Sequence, residues 1–197
     1  MFKLVASAVL LISSFVIAGA QTSIATPAKS VLEYKLLATN RVSTMEKEMK
    51  EAADAGYRFV EVTSGVSPFG GSEALIVMVR ESNGDQKSRF EYKLLATSRT
   101  STMEKELQEA GDAGFEHVGV SVFRKTFSTE IMVILERAID VKPKLWDYKL
   151  LATSKTSTME KEVTEAAAAG YQFVGFSSGP TFGGRNELVT IMRRPRE

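Results

Sequence analysis

One block of sequence occurs three times in this chain. Tyr34-Lys35-Leu36-Leu37-Ala38-Thr39 recurs as Tyr92 to Thr97 and again as Tyr148 to Thr153. Each copy leads into Ser-Thr-Met-Glu-Lys-Glu, at Ser43 to Glu48, Ser101 to Glu106 and Ser157 to Glu162. The spacing is 58 residues and then 56. A period of this size means three copies of one supersecondary unit, none of which buries its apolar surface alone.

Each copy reads β-α-β-β. The first strand spans Leu32–Thr39, with Leu32, Tyr34, Leu36 and Ala38 on one face and Glu33, Lys35, Leu37 and Thr39 on the other. One apolar and one mixed face suggests an edge strand, with the apolar face turned to the helix. Ser43 with Glu46, Ser101 with Glu104 and Ser157 with Glu160 have the form of a capping box. Met45, Met49, Ala52 and Ala53 follow at helical spacing, and the Met45, Met103 and Met159 stripe reads as core. Gly56, Gly114 and Gly170 mark left-handed helix ends.

A second strand is expected over Phe59–Thr63, Val118–Val122 and Phe173–Ser177, and a third over Glu73–Arg80, Glu130–Arg137 and Glu187–Arg194. The third is apolar on both faces, which places it at the centre of a covered sheet. The expected fold class is therefore α+β, with three units at 31–81, 89–138 and 145–196. Each unit is a three-stranded sheet of order first–third–second with one helix. A unit of about 50 residues is marginal alone, so the free sheet faces should pack together. A pseudo-threefold axis is one arrangement that would close all three; the sequence leaves the oligomeric state open.

Residues 1–20 read as a secretory signal: Lys3, an apolar run from Leu4 to Val16, and a small-x-small site at Ala18-Gly19-Ala20. The expectation is export to the periplasm or beyond, with no membrane span once the signal is removed. The chain has 25 basic and 24 acidic residues, and loss of Lys3 leaves 24 of each. A neutral chain whose only basic cluster is the Arg193-Arg194-Pro195-Arg196 tail, read as a solvated end, argues against nucleic acid. The absence of cysteine removes thiol chemistry, thiolate metal sites and disulfides.

The pattern of Tyr34-Lys35-Leu36-Leu37, Gly56-Tyr57-Arg58-Phe59-Val60-Glu61-Val62 and Met192-Arg193-Arg194-Pro195 resembles the bacterial domain-of-unknown-function 4177 family. That family most often has Trp after the glycine, where this chain has Tyr or Phe. Its members are mostly short single units, whereas this chain carries three. The resemblance implies a fold and no activity.

Two sets of residues stand out as candidate sites. Arg41 and Ser43, Arg99 and Ser101, and Lys155 and Ser157 put a base and a hydroxyl at each helix start, where free N–H groups attract anions; plain capping competes for the same groups. The hairpin tips with Phe69, with Phe123 and Arg124, and with Phe182 are where the copies differ most, and so where partners would be told apart. His117, the only histidine, stands where the other copies have Phe59 and Phe173, and reads as a strand residue. Nothing nominates a nucleophile with its base, a metal cluster or a cofactor cradle. The expected function is a non-catalytic binding or structural module of the cell envelope, acting on a protein partner. The alternative is a small-ligand carrier with its site where the repeats meet.

Overall fold

A computed structural model describes residues 31–66, 72–84, 87–124, 129–181 and 184–196; residues 1–20, expected as a secretory signal, and Phe69 and Phe182 lie outside them. The first unit comprises β1 (Leu32–Thr39), α1 (Val42–Asp54), β2 (Arg58–Val66) and β3 (Ser72–Glu81). The second comprises β4 (Phe90–Thr97), α2 (Thr100–Asp112), β5 (Glu116–Arg124) and β6 (Thr129–Ala138). The third comprises β7 (Trp146–Thr153), α3 (Thr156–Ala168), β8 (Gln172–Pro180) and β9 (Asn186–Pro195). The sheets are antiparallel, in the orders β1-β3-β2, β4-β6-β5 and β7-β9-β8. The doubly apolar third strand is central in each, as its composition requires.

Local chemistry closes each unit the same way. Gly56, Gly114 and Gly170 sit at φ of 83°, 82° and 87°, conformations that a side chain disfavours. The next two amides fold back on the helix: Gly56 N–H to the Ala53 carbonyl at 2.8 Å and Tyr57 N–H to the Ala52 carbonyl at 3.0 Å. This is the Schellman arrangement. The arginine near the end of each third strand locks the corner. Arg80 reaches the Glu33 carboxylate at 2.7 Å, donates to the Ala55 carbonyl at 2.9 Å and stacks 4.6 Å from the Tyr57 ring centre. Arg137 with Glu91, Ala113 and Phe115, and Arg194 with Asp147, Ala169 and Tyr171, repeat the set.

Two local expectations are corrected. No capping box forms. The N-caps are Arg41, Arg99 and Lys155, without a capping side chain, so Ser43, Ser101 and Ser157 lie inside their helices. Glu46 is a full turn in, and it is used elsewhere. The faces of the first strand are also the reverse of those expected. Leu37, Leu95 and Leu151, on the mixed face, join their own helices' Met45, Met103 and Met159. The apolar face is kept for the neighbouring unit.

The units stack in a row instead of closing around a threefold axis. Helix α1 is wedged between β1 and β4, and α2 between β4 and β7, while β2 meets β5 and β5 meets β8. The first core cluster therefore joins Met45, Met49, Ile76 and Met78 to Leu94, Met132 and Ile134 of the second unit. The second joins Met103, Leu107 and Leu135 to Trp146, Tyr148, Val189 and Ile191 of the third. Because the row does not close, α3 has only its own sheet to cover, and only Met159 and Ala166 of that helix are buried.

Candidate functional site

The polar groups that repeat in the sequence are drawn into the junctions between units. Glu46 Oε1 accepts the Leu94 N–H at 3.2 Å, and Glu104 Oε1 accepts the Leu150 N–H at 3.3 Å. Each thereby covers an edge-strand amide of the next unit, a group that otherwise invites pairing. Gln108 adds a paired contact, donating to the Trp146 carbonyl at 3.2 Å and accepting the Tyr148 N–H at 3.0 Å. The tyrosine of the repeated block reaches back the other way. Tyr92 Oη accepts the Phe59 N–H at 2.9 Å, and Tyr148 Oη accepts the His117 N–H at 2.7 Å. Burial raises both phenols, Tyr148 to about 12, so both stay neutral.

A charged pair spans each junction, with opposite polarity. Arg58 of the first unit meets Glu136 of the second at 2.8 Å, and Tyr92 donates to the same carboxylate at 2.8 Å. At the second junction Glu116 precedes and Arg193 follows, at 2.5 Å. Glu136 and Arg193 occupy the same position in their sheets, opposite Tyr92 and Tyr148. Arg196 adds a tie, 2.7 Å from both Asp112 and Asp147; Gln108 and then Arg196 hold the Asp112 carboxyl below its usual range, and Arg196 and then Arg194 do so for Asp147.

Glycine lets the sheets approach. A Cβ on Gly119 would lie 2.7 Å from Phe59, and one on Gly175 would lie 2.7 Å from His117. His117 is therefore buried in the second junction, where burial and then Arg193 lower its imidazole to about 4. Its Nε2 has no hydrogen-bond partner among the described residues.

These contacts leave two end faces uncovered. Leu32, Tyr34, Leu36 and Val60 are exposed on the first unit. Tyr34 is 64% exposed, against 5% for Tyr148; Leu36 is 65% exposed, against 7% for Leu94. At the other end Phe173 and Phe176 are exposed, while their counterparts Phe59, Val62 and His117 pack in junctions. Sequence reasoning missed these faces. The available signal was the apolar side of the first strand, which is identical in kind in all three copies, although only two of them have a predecessor.

The expected sites are placed as follows. Arg41, Arg99 and Lys155 with Ser43, Ser101 and Ser157 are exposed at their helix starts. Arg99 and Ser101 line a cleft of about 250 Å³ with Thr181, Arg185 and Glu187 of the third unit's hairpin. There Thr181 already donates to Glu187 at 2.6 Å. Phe123 and Arg124 end β5 opposite Glu130 and Thr129. A cleft of about 410 Å³ at the first junction is lined by Leu32, Tyr57, Arg58, Arg80 and Phe90. Of its three arginines, Arg58 is held by Glu136 and Arg80 by Glu33, and Arg89 also lines the cleft. Among the described residues, no group of three His, Cys, Asp or Glu is placed to hold a metal, and no helix is long and apolar enough to cross a membrane.

No family model, curated protein or solved structure matches this chain. The likeness to the domain-of-unknown-function 4177 family therefore rests on the residues quoted for it.

Proposed function

We propose that this protein is an exported, non-catalytic binding or structural module of the cell envelope, and that its uncovered end faces do the binding. The observation that carries this reading is the contrast between equivalent residues: the side chains that hold unit to unit within the row stand exposed at its two ends. Solvent-facing apolar residues grouped this way mark interaction surfaces. The secretory pattern of residues 1–20 supports the location. A small-ligand carrier has less support. Among the described residues the three units share no common meeting point, and two of the junction cleft's three arginines, Arg58 and Arg80, are already paired.

The test is co-purification from the native envelope with the wild type and with a Phe173→Asp/Phe176→Asp and a Tyr34→Asp/Leu36→Asp variant. The reading expects a reproducible partner that one of the variants loses. A chain that recovers no partner and turns over a substrate would overturn it.

A further inference from the structure

The geometry points to head-to-tail association of copies of this chain, third unit onto first, with Glu61 keeping the contact weak. This inference deepens the proposed function and rests on it: the partner is a second copy. The argument is continuity with the two junctions already built inside the chain. Apart from the charged pair, the contacts that both junctions share have their counterparts at the ends, with one exception. Glu160 corresponds to Glu46 and Glu104, and Leu36 to Leu94 and Leu150. Tyr34 corresponds to Tyr92 and Tyr148, and Phe173 to Phe59 and His117. The charged positions are neutral here: Gln172 stands where Arg58 and Glu116 do, and Val79 where Glu136 and Arg193 do. No like charges meet at these two positions.

The exception is Glu61. It pairs with Val77 as Gly119 pairs with Ile134 and Gly175 with Ile191. At those glycines a Cβ would come within 2.7 Å of the incoming ring. Glu61 is exposed, so Phe173 of another copy would meet a side chain and a charge where the internal junctions have an open socket. A heterologous contact that does not close on itself grows into fibres, and a charge facing into such a contact is a recognised brake.

Sedimentation velocity over a concentration series tests this, using the chain lacking residues 1–20 as wild type, Glu61→Gly, Phe173→Asp and the Glu61→Gly/Phe173→Asp double variant. Circular dichroism checks that each is folded. The expected result is concentration-dependent association of the wild type. Glu61→Gly should shift its midpoint at least about tenfold lower in concentration, and Phe173→Asp should abolish it in either background. A Glu61→Gly protein that stays monomeric throughout overturns the proposal, as does association that Phe173→Asp leaves intact. If the copies stay apart while Phe173→Asp still removes a partner from the native envelope, the binding reading stands and self-association is wrong.

Discussion

The Arg58 guanidinium lies 2.8 Å from the Glu136 carboxylate across the first junction. The same relationship recurs at the second junction with the signs exchanged, as Glu116 and Arg193. The two junctions are thus alike in shape and opposite in charge. First unit on third would oppose Arg58 to Arg193, and second on second would oppose Glu116 to Glu136. Like charges across a contact suppress wrong pairings, so this exchange orders three nearly identical units along one chain.

Breaking that code should be costly and reversible. Arg58→Glu leaves Glu136, which is 5% exposed, facing a like charge. The expected loss is about 2 kcal/mol in chemical denaturation. Adding Glu136→Arg should recover most of it, and a double-mutant cycle reads the coupling. Additive losses would show that the pair contributes no specificity.

Close approach at the second junction predicts an unusual glycine. In α2 an alanine at Gly111 would ordinarily add about 1 kcal/mol of helix stability. Here its Cβ would lie 2.4 Å from the Trp146 carbonyl oxygen, which is backbone and cannot turn aside. We expect Gly111→Ala to lower Tm by about 5 °C. Gly65→Ala, with nothing within 4 Å of the new atom, serves as the control and should be neutral or slightly stabilising.

His117 makes the second junction acid-sensitive. Its imidazole titrates near 4 when folded, against 6.5 when free. The fold favours the neutral ring, so this contribution is full above about pH 6.5 and is lost as pH falls towards 4. The size is about 3 kcal/mol across that window. Arg193, Glu116 and Tyr148 face the ring's surroundings. His117→Phe keeps all three and copies the residue used at Phe59. Its stability should fall less between pH 6.5 and 4, a difference in which carboxylates elsewhere cancel. Parallel pH profiles for the two proteins would refute the assignment.

The elements of one unit were legible because their signals are local. Alternating side chains marked the strands, the glycines after each helix marked its end, and the strand apolar on both faces named its own place. The first strand came out with the observed bounds, Leu32–Thr39, whereas the second ran longer at both ends, to Arg58–Val66. What misled was long-range. Ser43 and Glu46 match a capping box, but Glu46 serves an amide 48 residues further on. Leu94 and Leu95 compete for one helix, and Leu95 takes it because the preceding unit claims the other face. Glu61 against Gly119 and Gly175 could be read in the sequence, but its meaning depends on which faces meet.

The account stands on the ends of the row being open where the middle is closed. Residue-resolved amide hydrogen exchange on the dilute monomer measures this directly. The Leu94 and Leu150 amides, held by Glu46 and Glu104, and the Phe59 and His117 amides, held by Tyr92 and Tyr148, should be protected. Their counterparts Leu36 and Phe173 should exchange faster by orders of magnitude, near the rate of fraying segments. Equal protection of Leu36 and Leu94 in the dilute monomer would mean that something closes the first unit's outer face, and would contradict the open row.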